Sequence, residues 1–169
     1  MWLKYLSLVL LFYFLAVLQN SFFGQFTLFG GFLLPVFILF FTVVFFEGNK
    51  NYNHILFYSV VAGFFLDVFL NLYFGISIIG LLIAGLIAKK IQNSLQGKTD
   101  KYPVSYFIPI FLVAFLVYNL ISSLLINITD ASRPVLVFSW NDAYGLFYNL
   151  LISIIVFYAY KRIFLKNNG

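Results

Sequence analysis

Apolar residues run almost unbroken along this chain, interrupted by short polar stretches at regular intervals. The apolar runs fall at residues 3–18, 27–46, 55–70, 74–88, 104–126 and 143–160. A bilayer crossing needs about 20 residues, at about 1.5 Å each across roughly 30 Å of hydrocarbon, so the pattern predicts six transmembrane helices. The third and fourth runs are separated only by "NLY"; polar Asn71 and Gly75 predict a tight turn there rather than one long helix. Pro35 falls inside the second run, where a proline removes a backbone bond and is expected to kink the helix.

The interruptions set an orientation. "EGNKNYNH" at 47–54, the stretch from 89 to 103 and the tail from 161 carry Lys50, Lys89, Lys90, Lys98, Lys101, Lys161, Arg162 and Lys166, and Lys4 opens the first run. With six crossings, all basic residues except Arg133 share one side, and the positive-inside rule places both termini in the cytoplasm. The N-terminus starts positive and turns apolar without a small-x-small cleavage site, so the first helix is expected to be retained. The uncharged segment 19–31 reads as a bent turn at the outer interface. Segment 127–142 reads as the largest outer loop, with Trp140 at headgroup level. Within it, Asn127-Ile128-Thr129 matches a glycosylation acceptor by chance.

Composition narrows the class. Of 169 residues 63% are hydrophobic and only 9% charged, against about 25% charged in soluble domains. The expected fold is therefore all-α: a single integral membrane domain over residues 1–169, polytopic. Cysteine is absent, which excludes disulfides and thiolate chemistry. The net charge of +5 comes from basic residues at run ends, not from an aromatic-interleaved patch, so nucleic acid is not an expected partner. The 24 Phe and 12 Tyr occur in every helix with no favoured face, which assigns them to lipid contact and general packing.

One acid stands inside the spans. Asp67 lies in "GFFLDVFLNLYFG", and a carboxylate at a helix centre costs about 2.5 to 3.5 kcal/mol, less towards the interface. Ser59, Gly63, Asp67 and Asn71 recur every four residues, so the third helix carries a polar, small-residue stripe that must face protein. Ser77, Gly80, Ala84 and Ala88 give the fourth helix a matching stripe, and the two are expected to form a hairpin seam. Asn119 with Ser122 and Ser123, and Asn149 with Ser153, add short polar faces to the fifth and sixth helices. Asp67 is read as a structural cap on the turn before Gly75. Proton coupling, ligand binding and catalysis are its alternatives. His54 is read as an interfacial residue. No nucleophile elbow or phosphate-binding glycine loop is present, so no enzyme activity, cofactor or metal site is expected.

Gly63-x-x-x-Asp67 followed by Gly75 between two hydrophobic segments resembles the motif of the rod-shape-determining MreD family. "LQNSFF", with Gln19 ending the first helix, and Pro35 opening "PVFILFF" extend the resemblance over about residues 1–91. Val36 departs from it, because family members often carry a polar or charged residue after the proline. The resemblance implies a small multi-pass component of the bacterial cell (inner) membrane, part of the cell-wall elongation machinery, without catalytic activity or cofactor. It also implies a fold similar to the substrate-binding S subunits of energy-coupling-factor (ECF) vitamin transporters. An MreC-like bitopic protein and the wall-synthesis enzymes are the implied partners, beside membrane lipids and a second copy of the chain. Two rivals share the six-helix expectation: an ECF-type S subunit, although Ala16 lacks the partner alanine four residues away that such subunits use for docking, and a small proton-coupled permease.

Overall fold

Every side chain from Val36 to Phe46 is buried, and five longer helices close around this central segment. The computed structural model describes residues 2–23, 33–47, 52–70, 72–96, 104–129 and 140–168. Helix α1 (Trp2–Leu18) runs into a π-helical turn, Gln19–Phe23, and is followed by α2 (Pro35–Phe46), α3 (Tyr52–Phe69), α4 (Ile76–Gln96), α5 (Val104–Thr129) and α6 (Trp140–Asn168). The described residues are all-α, and five of these six helices are long and apolar enough to cross a membrane. The chain is a multi-pass membrane protein.

Helix α2 is the exception. Its 12 residues, at about 1.5 Å each, reach only about 18 Å, well short of a hydrocarbon core of about 30 Å. The expected kink at Pro35 does not occur, because Leu33 and Leu34 are not helical and Pro35 is the first helical residue. A proline there forfeits only an N–H that has no intrahelical acceptor, and its fixed φ suits the first turn. The apolar run that begins at 27 thus marks affinity for lipid or protein interior, not the start of a helix.

Successive helices alternate in direction. Tyr5 of α1 meets His54 at the start of α3, and Tyr13 meets Phe65 and Phe69 near its end, so α1 and α3 are parallel. Phe37 packs on Tyr118 and Phe45 on Phe107, which sets α2 antiparallel to α5. Leu34 reaches Asn149 and Phe46 reaches Tyr160, which sets α6 parallel to α2. Helices α1, α3 and α5 therefore run one way and α2, α4 and α6 the other, and the start of α1 and the end of α6 lie at the same end of the bundle.

An aromatic ladder fills the centre. Phe37, Phe41 and Phe45 occupy one face of α2, and Phe107, Phe111 and Phe115 one face of α5, with centroids 5.1 to 5.7 Å apart across the interface, mostly edge to face. Phe157 of α6 closes the end of the ladder nearest the end of α2, at 4.6 Å from Phe107. Edge-to-face pairs contribute about 0.5–1.5 kcal/mol beyond the area they bury. The expectation of evenly scattered aromatics is corrected for these two helices, where a spacing of four gathers them on one face.

Several boundaries move. Helix α4 continues through Lys89 and Lys90 to Gln96, where a polar separator was expected. Helix α5 extends to Thr129, so Asn127, Ile128 and Thr129 are helical, and α6 begins at Trp140, which removes both ends of the expected outer loop. The middle of that loop with Arg133, most of segment 19–31, Asn71, and Lys50, Lys98 and Lys101 lie outside the described residues.

Candidate functional site: the Asp67 joint

Asp67 lies in the last turn of α3, only 2% exposed. Its Oδ2 accepts the backbone N–H of Gly75 at 2.7 Å, and its Oδ1 accepts that of Ser77 at 2.8 Å. Its own carbonyl oxygen accepts the N–H of Leu72 at 3.0 Å. A single residue thus fastens both sides of the turn between the two helices.

The local chemistry explains the arrangement. The first N–H groups of a helix lack intrahelical acceptors, and a serine, threonine or aspartate at the N-cap usually supplies one. The residue before α4 is Gly75, whose φ of +101° suits glycine and which has no side chain with which to cap. Asp67 takes over that task from the preceding helix, and its negative charge also complements the positive end of the α4 dipole.

Small residues bring the helices close enough for this. A Cβ on Gly63 would lie 2.5 Å from Ile78 Cα and 2.6 Å from Ile78 N, so α3 and α4 touch backbone to backbone at that point. Ser59, one turn below, is buried and bonds within its own helix to Ile55 O at 2.7 Å. Ser59, Gly63 and Asp67 do share a buried face.

The expected matching stripe on α4 divides between neighbours instead. Ser77 meets the Asp67 carboxylate, whereas Gly80 faces α5, where a Cβ would come within 2.9 Å of Ser122 Oγ and 3.1 Å of the Tyr118 ring. Ala84 and Ala88 are buried, and Gly85 faces Ile55 and Phe40. The seam of α3 with α4 forms, but not from two facing small-residue stripes. A helix with three packed neighbours cannot devote all its small residues to one of them.

The other motif positions lie elsewhere. Gln19 is buried in the π-helical turn after α1, and Pro35 starts α2. Among the described residues, no hydrogen bond joins either of them to Asp67.

Sequence reasoning missed a second polar arrangement, built around the ends of α2. Asn149 of α6 accepts the N–H of Leu34 at 2.8 Å through Oδ1 and donates to Gly145 O at 2.7 Å through Nδ2. At the other end Lys89 Nζ donates to Val44 O at 3.3 Å and to Glu47 O, while Gln92 Nε2 donates to Phe45 O at 2.8 Å. Tyr58 OH donates to Glu47 Oε1 at 2.8 Å. Lys89, expected as an orientation signal, is in fact 4% exposed and serves as a helix cap. The signal was available: Ala84, Ala88 and Gln92 continue the helical face past the lysine pair. His54 is half-buried, with Nδ1 3.3 Å from Tyr5 OH, and ties α1 to α3.

Both oxygens of Asp67 are engaged by backbone donors, an arrangement that holds two helices in register. Among the described residues no three His, Cys, Asp or Glu side chains could hold a metal ion. In comparisons with known proteins, no family model matches the chain, and neither a curated protein nor a solved structure does.

Proposed function

We propose that this chain is a non-enzymatic scaffold subunit of the MreD type in the bacterial cell-wall elongation complex. It resides in the inner membrane with both termini cytoplasmic and binds an MreC-like bitopic protein and wall-synthesis enzymes. One observation supports this reading above the others. Gly63, Asp67 and Gly75, the residues that carry the sequence resemblance, belong to one rigid joint between α3 and α4, so the pattern answers to a physical unit. The alternating helix directions, with both chain ends at one end of the bundle, fit the orientation inferred from the basic residues.

Affinity purification from native membranes, together with depletion in the host bacterium, tests the reading. Depletion should round the cells, and a bitopic wall-synthesis partner should co-elute with the wild-type chain. The Asp67→Ala variant should lose that co-elution or accumulate less protein. Unchanged cell shape with no such partner would overturn the assignment. Tight binding of a vitamin, or proton-driven uptake into proteoliposomes abolished by Asp67→Asn, would favour a transporter instead.

A further inference from the structure

Helix α5 carries an amide near the middle of its span. Asn119 lies about 22 Å along a helix of about 39 Å, so its depth is close to the centre of the bilayer. The residue is half-buried, and among the described residues its side chain takes part in no hydrogen bond. Asn149 of α6 shows the contrast: it is fully buried, its Oδ1 accepts from Leu34 and its Nδ2 donates to Gly145 O. Lipid offers an amide neither a donor nor an acceptor, so an unpaired one at this depth is unfavourable. Bonds to another helix are its usual outlet.

The neighbours of Asn119 define a line of approach. Leu112, Leu116, Asn119, Ser123 and Ile126 recur at alternating spacings of four and three, the spacing that aligns one seam of a helix with a second helix. Leu116 is 45% exposed, Leu112 and Ile126 are half-buried like Asn119, and only Ser123 is mostly buried. The helices of this chain therefore leave the middle of the seam open.

Amide chemistry and depth select the occupant. A carboxamide both donates and accepts, so a second carboxamide complements it. Two copies of the chain in one membrane share an orientation, and a two-fold axis along the membrane normal sets their α5 helices parallel, each residue near the axis meeting its own counterpart at equal depth. A lone asparagine in an apolar seam is also the device that fixes register and strand number in parallel helix pairs. We propose that this face of α5 is a self-association seam, in which Asn119 exchanges hydrogen bonds with its counterpart in a second copy of the chain. This inference does not depend on the scaffold function and stands or falls separately.

Crosslinking in native membranes tests it, because the chain has no native cysteine. Leu116→Cys should form a disulfide-linked homodimer on mild oxidation, whereas Ile155→Cys, 68% exposed on α6, should not. Adding Asn119→Leu to Leu116→Cys should weaken dimerisation about tenfold, and Asn119→Gln, which keeps the amide, should retain more of it. Asn119→Leu removes a polar group from a lipid-accessible position, so the Tm of the monomer should not fall and a lost crosslink cannot be ascribed to unfolding. A Leu116→Cys yield no higher than that of Ile155→Cys, or one indifferent to Asn119→Leu, would overturn the proposal. Energy transfer between labelled copies of the purified chain in liposomes supplies the second arm. Dimers should form from this chain alone; a chain that stays monomeric there, yet crosslinks through position 116 to a different protein in native membranes, would refute the second copy as occupant.

Discussion

Asn149 and Lys89 hold opposite ends of the same buried helix: one accepts the Leu34 N–H at 2.8 Å, the other donates to the Val44 carbonyl at 3.3 Å. A helix ending inside a membrane protein leaves N–H and carbonyl groups that lipid cannot satisfy, each at a cost of several kcal/mol. Because α2 is shorter than the bilayer is thick, side chains of its neighbours must supply those partners.

Removing either partner should therefore cost more than its small size suggests. Lys89→Met keeps the apolar stem and loses the donor, and Asn149→Leu loses the acceptor. Each should destabilise the fold by about 1–3 kcal/mol. Lys89→Arg should retain most of the stability, because a guanidinium also donates to carbonyls. The two sites lie at opposite ends of α2, so the double variant should lose roughly the sum. Detergent-resistance or thermal-unfolding midpoints would check all four variants.

The glycines should rank by what surrounds them. Gly63→Ala places a Cβ 2.5 Å from the Ile78 Cα, a backbone atom that cannot swing aside, so its cost should reach or exceed the upper end of the roughly 1–3 kcal/mol seen for overpacked cores. Gly75 has open space around its Cα and only its positive φ to protect, so Gly75→Ala should cost about 1–2 kcal/mol and Gly75→Asn less. Folded yield on size-exclusion chromatography, compared across the three variants, would expose a reversed ranking.

The ladder makes a third set of contrasts. Phe41 touches Phe37, Phe45, Phe107 and Phe111, so Phe41→Ala should cost about 3–5 kcal/mol. Phe147→Ala, on the exposed face of α6, should stay within about 0.5 kcal/mol of wild type. Equal losses at the two positions would mean that α2 is not the centre of the bundle.

The sequence made some of this legible and hid the rest for identifiable reasons. Five of the six helices follow from hydropathy because the bilayer imposes both length and polarity, and the break at Gly75 was readable because few residues other than glycine suit a positive φ. The start of α2 was hidden, since hydropathy reports the solvent a residue prefers and not whether its backbone is helical. Lys89 was misassigned because its neighbour Lys90 is exposed and the pair reads as one charged unit, whereas on a helix adjacent residues point about 100° apart. The partner of Gly80 could not be read at all: a small residue announces a close approach but not which helix makes it. The ladder was present as two sets of phenylalanines spaced by four, obscured by the abundance of the others.

Orientation remains open to a direct measurement, and the chain suits it because it contains no native cysteine to remove. Tyr73, in the turn between α3 and α4, and Asn53, at the start of α3, are both exposed and lie at opposite ends of α3. Single cysteines at these positions should react with a membrane-impermeant maleimide from opposite sides: Tyr73→Cys in intact cells, Asn53→Cys only after permeabilisation. Positive-inside reasoning requires this sense, because Lys90, Lys161 and Arg162 share the end of the bundle with Asn53. Labelling of Asn53→Cys in intact cells would invert the topology and place the Asp67 joint on the cytoplasmic side.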